Sequence, residues 1–266
     1  MKIIVPIKQV PETSQVKMDP ETGTMIRKGL AAIINPLDLY AIESALQIKA
    51  GQDEVQVIVI SMGPPKAEKA LREALGMGCD EAVLLSDRRF GGADTWATAY
   101  TLTQAIHKLG GADLIICGER ATDGDTGQVG PGIAALLDVP VATYVSKIAA
   151  VNSMNIILNR MVEGGYETLR MPFPSVLTVV KEVASPRLPT LRGMQRARLA
   201  VIPVWGQTDI DVDADKIGLK GSPTRVVKIS TPTVARQGER YVIKDANDIR
   251  MVADRFVQFL QEKHVV

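Results

Sequence analysis

The chain has 266 residues, 46% of them apolar and 23% charged, which supports a sizeable core in one or two domains. Its 31 basic and 30 acidic residues leave a net charge of +1, and aromatics make up only 4%. Neither a polyanion-binding face nor a base-stacking surface fits that balance, so nucleic acid is not an expected partner. The start, MKIIVPIKQVPET, reads as a strand and is too short for a signal-peptide core. No run approaches the ~20 apolar residues of a membrane span. Cys79 and Cys117, each in an apolar stretch without metal-ligand spacing, read as space fillers in a reducing, cytoplasmic protein.

Residues 2–7 (KIIVPI) form the first apolar strand, followed by a polar excursion marked by Pro and Gly through residue 29. Asn35-Pro36 is a helix start, with Asn35 as cap and Pro36 at the first helical position. Leu39, Ile42, Ala45 and Leu46 keep helical spacing up to Gly51. The pattern repeats: a strand at 55–60, a turn at 61–64, a helix at 65–76 and a strand at 82–85. Asp94 caps a further helix, a fourth strand covers 112–117, and a helix is expected over 127–137. Apolar, non-alternating strands separated by helices predict a Rossmann-like parallel sheet covered on both faces, an α/β fold.

Beyond Pro140 the character changes, with strands at 141–149 and 155–162, a hairpin turn at 163–166, a return at 167–171 and a strand at 175–180. Residues 184–198 are rich in Pro and Arg, residues 205–237 have little periodicity, and an amphipathic helix closes the chain at 246–263. The expected organisation is a nucleotide-binding α/β domain over 1–200 and an arm with a helix over 201–266, packed on another protein.

Residues 117–130 (CGERATDGDTGQVG) lie between the fourth strand and the next helix. Ligands of open parallel sheets bind beyond the carboxyl ends of strands, near the switch point. Four glycines permit close backbone approach, and Thr126, Gly127, Gln128 and Val129 would offer helix-start N–H groups to a phosphate. Asp123 and Asp125 are then misplaced as phosphate ligands unless they hold the loop, cap the helix or bind ribose hydroxyls. The loop fits neither GxxxxGK[ST] nor GxGxxG, so from the residues alone a plain capped turn stays open beside a nucleotide site.

KQVP (8–11), NPLD (35–38), SMGP (61–64), ALGMGCD (74–80), GERATDGDTGQVG (118–130), GGYETLR (164–170) and SPRLPTL (185–191) occur in this order. Together they cover most of the chain and resemble the beta subunit of electron-transferring flavoproteins, whose sheet is of the adenine-nucleotide alpha-hydrolase-like type with a β-hairpin addition. The resemblance implies a heterodimer with an alpha subunit and a nucleotide held by Pro6, Lys8, Asn35, Asp38, Met62, Gly118, Ala121, Asp123, Asp125, Thr126, Gly127, Gln128 and Val129. The DGDTGQVG wording and Asp38 are similar to the electron-bifurcating branch, in which the nucleotide is FAD; AMP, as in respiratory members, is the alternative. That branch passes electrons from NADH to ferredoxin and to a flavin-dependent dehydrogenase of the acyl-CoA or 2-hydroxyacid (lactate) type. A carrier subunit of this kind needs no catalytic side chain, and no metal ligands are expected around His107 or His264.

The resemblance also makes Leu191 an apolar anchor for the dehydrogenase, among Arg187, Arg192, Arg196 and Arg198. It places Arg160, Glu163, Tyr166 and Glu167 near the partner's flavin domain, and Thr13 near flavin. A non-redox nucleotide-binding module of the universal-stress or ATP-pyrophosphatase sort is the competing class.

Overall fold

The computed structural model of the chain describes residues 1–12, 32–227, 238 and 240–265. Thr13 lies outside them. Two compact units result, Met1–Val227 and Lys228–Val266.

The first unit opens with β1 (Lys2–Pro6), a short antiparallel pair β2 (Gln9–Pro11) and β3 (Ala32–Ile34), then α1 (Pro36–Gly51). A second strand–helix unit, β4 (Gln56–Met62) and α2 (Glu68–Met77), follows, with a single 3₁₀ turn at Pro65–Ala67 opening the expected helix. β5 (Glu81–Leu85) leads to α3 (Thr95–Lys108), where Asp94 accepts from the N–H of Ala97 as its sequence position predicts. Next come β6 (Leu114–Gly118) and α4 (Val129–Leu137), which starts two residues later than the spacing suggested. Gly127 is the reason: its φ of 62° is left-handed, so the helix cannot include it.

The long strands β7 (Val141–Val151), β8 (Asn155–Val162) and β9 (Gly165–Pro172) form an antiparallel meander, and β10 (Ser175–Val179) returns to the parallel part. The Pro/Arg-rich segment holds a helix the periodicity did not announce, α5 (Leu191–Leu199), capped by Thr190, whose hydroxyl accepts from the N–H of Gly193. A two-residue strand, β11 (Val204–Trp205), pairs with β5.

Among the described residues the main sheet has nine strands in the order β11-β5-β4-β1-β6-β10-β7-β8-β9. All neighbours from β11 to β7 are parallel. Successive residues of the central strands feed opposite faces: Ile3, Val5, Val57, Val59 and Ile116 pack with α1 and α2, whereas Ile4, Ile58, Ile60, Ile115 and Cys117 pack with α3 and α4. Covering both faces is what makes these strands continuous apolar runs. Cys79 and Cys117 are free and buried. Chain order reverses direction across the sheet between β1 and β6, so a crevice opens beyond their carboxyl ends.

The second unit contains α6 (Ala246–Glu262), begun by Asp245, whose carboxylate accepts from the N–H groups of Asn247 and Asp248. None of its side chains is buried; Ile249, Phe256 and Phe259 all face solvent in the chain by itself. Among the described residues no helix is long and apolar enough to cross a membrane.

Candidate functional site

Two short stretches meet at the crevice: residues 6–8 leaving β1 and residues 118–128 leaving β6. The start of α1 stitches them together. Asn35 was expected to cap α1, but it makes no cap bond. Its side-chain amide instead donates to the carbonyl of Arg120 (2.9 Å) and to Asp38 Oδ1 (2.9 Å), and its oxygen accepts from the N–H of Thr122 (3.1 Å). Pro36 at the first helical position removes one donor that would need a cap, which frees the side chain for this task. Asp38 completes the joint by accepting from the N–H of Lys8 at 2.7 Å.

Gly118 is required by this joint. A Cβ there would lie 2.4 Å from Asp38 Oδ1 and 2.8 Å from the carbonyl carbon of Leu37. Beyond it, the N–H of Glu119 donates to the carbonyl of Val179, and the N–H of Asp125 to that of Ala121, closing a tight turn. Asp125, at a left-handed φ of 53°, pairs with Arg120 at 3.1 Å. Asp123 pairs with Lys8 at 2.6 Å. Both carboxylates that seemed misplaced beside a phosphate are therefore occupied as loop fasteners, and each has its charge offset by a base.

What remains open is a row of amides. Among the described residues none accepts from the N–H groups of Thr126, Gly127 or Gln128. The first turn of α4 adds those of Val129 and Gly130, which a helix start leaves without intrahelical acceptors. Gly130 lets α4 sit tightly on the sheet, since a Cβ there would meet Thr178 Cγ2 at 2.5 Å. A diphosphate fits this setting: free N–H groups, the positive end of a helix and glycines that permit approach. Pro6 is buried at the end of β1 and half-buried Met62 ends the adjacent β4, so both lie on the same carboxyl edge. The residues singled out from the sequence lie along this edge, on the loops beyond it, or, like Asp38 and Val129, in the first turns of α1 and α4.

Asp38 is the titrating group of the site. Burial pushes its carboxyl up to about 7, against the hydrogen bonds from Asn35 and the N–H of Lys8 and the nearby Lys8 charge; Asp123 adds to the rise. Because the folded value exceeds the unfolded one of 3.8, stability is fully present below 3.8 and lost as pH rises through about 7. Denaturant midpoints of the wild-type complex should fall between pH 5 and pH 8, and Asp38→Asn should flatten that slope. An unchanged slope in the variant would assign the effect elsewhere.

Nothing in the residue pattern points to two neighbours of the loop. Tyr144 and Thr178 come from β7 and β10 and line a crevice with Glu119, Arg120 and Gly127. Only the order of strands brings them there.

A second surface is formed by α5, which packs on α2. Leu191 opens α5 and is 82% exposed, with Leu188 and Leu199 exposed beside it. Of the four arginines around it, two work internally. Arg187 grips the buried Glu43, and Arg196 donates to the carbonyls of Leu75 (3.0 Å) and Cys79 (2.8 Å). Arg192 and Arg198 remain exposed. Gly193 allows α5 to lie directly on α2, because a Cβ there would stand 2.2 Å from the carbonyl oxygen of Gly76. On the hairpin, Arg160 and Glu167 face each other across β8 and β9 at 3.6 Å, and Tyr166 is exposed. Among the described residues no group of three or more His, Cys, Asp or Glu side chains is placed to hold a metal ion.

Comparison with known proteins shows the family. The model of the electron transfer flavoprotein domain matches residues 22–210. The chain is 46% identical, over the whole of both chains, to the caffeyl-CoA reductase-Etf complex subunit CarD of Acetobacterium woodii. It is equally similar, at 46% over full length, to the electron transfer flavoprotein subunit beta of Clostridium acetobutylicum. With the acryloyl-CoA reductase electron transfer subunit gamma of Anaerotignum propionicum it shares 42% over full length. The chain belongs to the electron transfer flavoprotein family, as a beta subunit.

Proposed function

We propose that this chain is the small subunit of a bifurcating electron transfer flavoprotein, holding FAD at residues 118–129 and working with an alpha subunit in the cytoplasm. Electrons pass from NADH to ferredoxin and to a flavin-dependent dehydrogenase of the acyl-CoA or 2-hydroxyacid type. The observation that carries the reading is the row of free amides from Thr126 into α4, flanked by two carboxylates already paired with Lys8 and Arg120. Full-length similarity to a subunit of a caffeyl-CoA reductase-Etf complex supports the redox role and the dehydrogenase class.

Bound flavin supplies the electron chemistry. The chain's own residues hold and orient it. Thr126, Gly127, Gln128 and Val129 present N–H groups to the diphosphate, and Gly118 lets the loop start flat against Asp38. Lys8 fixes Asp123 and, through its backbone, Asp38, so the two edges of the crevice keep one spacing. Met62 and Ala121 would wall the nucleoside end, with the buried Pro6 and Asn35 behind them. No side chain acts as an acid or base. Leu191 docks the dehydrogenase, Arg192 and Arg198 steer the encounter, and the arm ending in α6 covers its apolar side chains on the alpha subunit.

Acid extraction of the purified complex should release two FAD per heterodimer. One FAD plus one AMP would replace the FAD assignment by a structural AMP, and a colourless complex would end the redox reading. Asp123→Ala should lower nucleotide retention about tenfold, as one fastener of the loop is lost, and Gly127→Val should abolish it by crowding the phosphate's approach. Full occupancy in both would move the pocket off this loop. Leu191→Ala should slow electron transfer to the dehydrogenase by about tenfold or more, the effect of losing a central apolar anchor, with flavin content unchanged. Normal transfer kinetics would remove Leu191 from the docking surface.

A further inference from the structure

Tyr144 is held in a backbone conformation that aromatic residues avoid. Its φ is 57°, in the left-handed region, within strand β7. The cause is a bulge in β7. Leu177 of β10 faces Ala142 and Val179 faces Val145, so two residues of β7, Thr143 and Tyr144, stand opposite Thr178 alone. The N–H of Tyr144 turns to the hydroxyl of Thr178 at 3.3 Å instead of a ladder carbonyl. Bulges of this kind re-aim a side chain, and strained residues persist where the surrounding structure enforces them, often at ligand sites.

The direction in which the bulge aims the ring is informative. Tyr144 lines the crevice bounded by Glu119, Arg120 and Gly127, and also a second cleft of about 440 Å³ toward the hairpin residues Arg160 and Glu163. Along the carboxyl edge of the sheet the sequence of groups is loop, Tyr144, hairpin, since Gly118 pairs with Val179, Val179 with Val145 and Val145 with Arg160. Tyr144 is 49% exposed and lines both openings, so it is accessible to a ligand. A mononucleotide anchored on the loop has no need of this cleft. A ligand with a second ring system beyond its diphosphate has to put that ring somewhere, and the cleft beside Tyr144 adjoins the loop.

We propose that Tyr144 is the specificity-determining residue that selects a dinucleotide over a mononucleotide, its ring supporting the second, planar ring system of a ligand whose phosphates lie on the amides of residues 126–129. This rests on the nucleotide reading of that loop. Aromatic stacking on the planar end supplies the preference, and the strained backbone keeps the phenol out of the core for that contact.

The test is competitive reconstitution. The complex of this chain with its partner subunit is stripped of nucleotide, equilibrated with equimolar FAD and AMP, washed and acid-extracted for counting. Flavin held by the partner is common to all variants and is subtracted as the FAD remaining in the Gly127→Val complex. Wild type and Tyr144→Phe should take FAD in preference to AMP in the same ratio. In Tyr144→Gly, which suits the backbone angle and preserves folding, and in Tyr144→Leu, the FAD-to-AMP ratio should fall at least tenfold with total nucleotide unchanged. An unchanged ratio in both variants overturns the proposal, as does equal loss of FAD and AMP, which would make Tyr144 a shaper of the loop only. A wild-type preference for AMP overturns it while leaving the nucleotide site intact. Absence of both nucleotides from this chain in the wild type would instead bring down the underlying site along with it.

Discussion

Gly118→Ala is expected to destabilise the native chain by about 3 kcal/mol and to empty the nucleotide site, the upper end of what overpacking costs. The new methyl group would lie 2.4 Å from Asp38 Oδ1 and within 3 Å of the backbone of Leu37, so it meets a helix start and cannot be accommodated by rotating a flexible side chain. Relief requires α1 to move away from β6, which pulls Asn35 from Arg120 and Thr122 and Asp38 from Lys8. Stability and nucleotide retention should therefore fall together, measured as a lowered urea midpoint and reduced adenine nucleotide on extraction. A stable variant with full nucleotide content would show that the joint between α1 and the loop is looser than its geometry implies.

Arg187→Ala should cost a comparable ~3 kcal/mol, the low end for breaking a buried ion pair because the arginine itself is part-exposed. Glu43 is buried on α1 and takes hydrogen bonds from Arg187 Nε (2.8 Å), Nη2 (3.0 Å) and backbone N–H (3.2 Å). Burial opposes its ionisation, but the bonds from Arg187 and Gln47 and the guanidinium charge outweigh it and hold the carboxyl below its usual value. For a lowered carboxylate the contribution is present above the unfolded value of 4.5 and lost as pH falls through the folded one. The gap between wild type and variant should thus be widest at neutral pH and shrink as pH drops below 4.5. A gap independent of pH would attribute the loss to packing alone. The same variant should loosen the segment leading to Leu191, so hydrogen exchange in residues 185–199 should rise while the nucleotide loop stays protected.

These two residues also show where reading the sequence succeeds and where it stops. The loop after β6 was legible because glycines, a strand end and a helix start are adjacent in the chain. The exposed Leu191 stood out only through family likeness, and its helix was missed because Pro189 and three arginines hide the periodicity of α5. Asn35 reads as a cap because the rule for Asn before Pro is local. Its real partners, Arg120 and Thr122, lie 85 and 87 residues away.

Local patterning determined the α/β class, the order of the main strands and helices through β10, the cap at Asp94 and the glycine-rich loop after β6, because apolar periodicity and capping act over a few residues. Tertiary structure decided the pairing of Lys8 with Asp123, the grip of Arg187 on Glu43 and the bulge that turns Tyr144 toward the crevice. Each depends on which strands lie side by side and in what register. Buried apolar strands carry little information about that choice, since nearly any of them satisfies the hydrophobic effect beside any other; the packing of the whole sheet selects it.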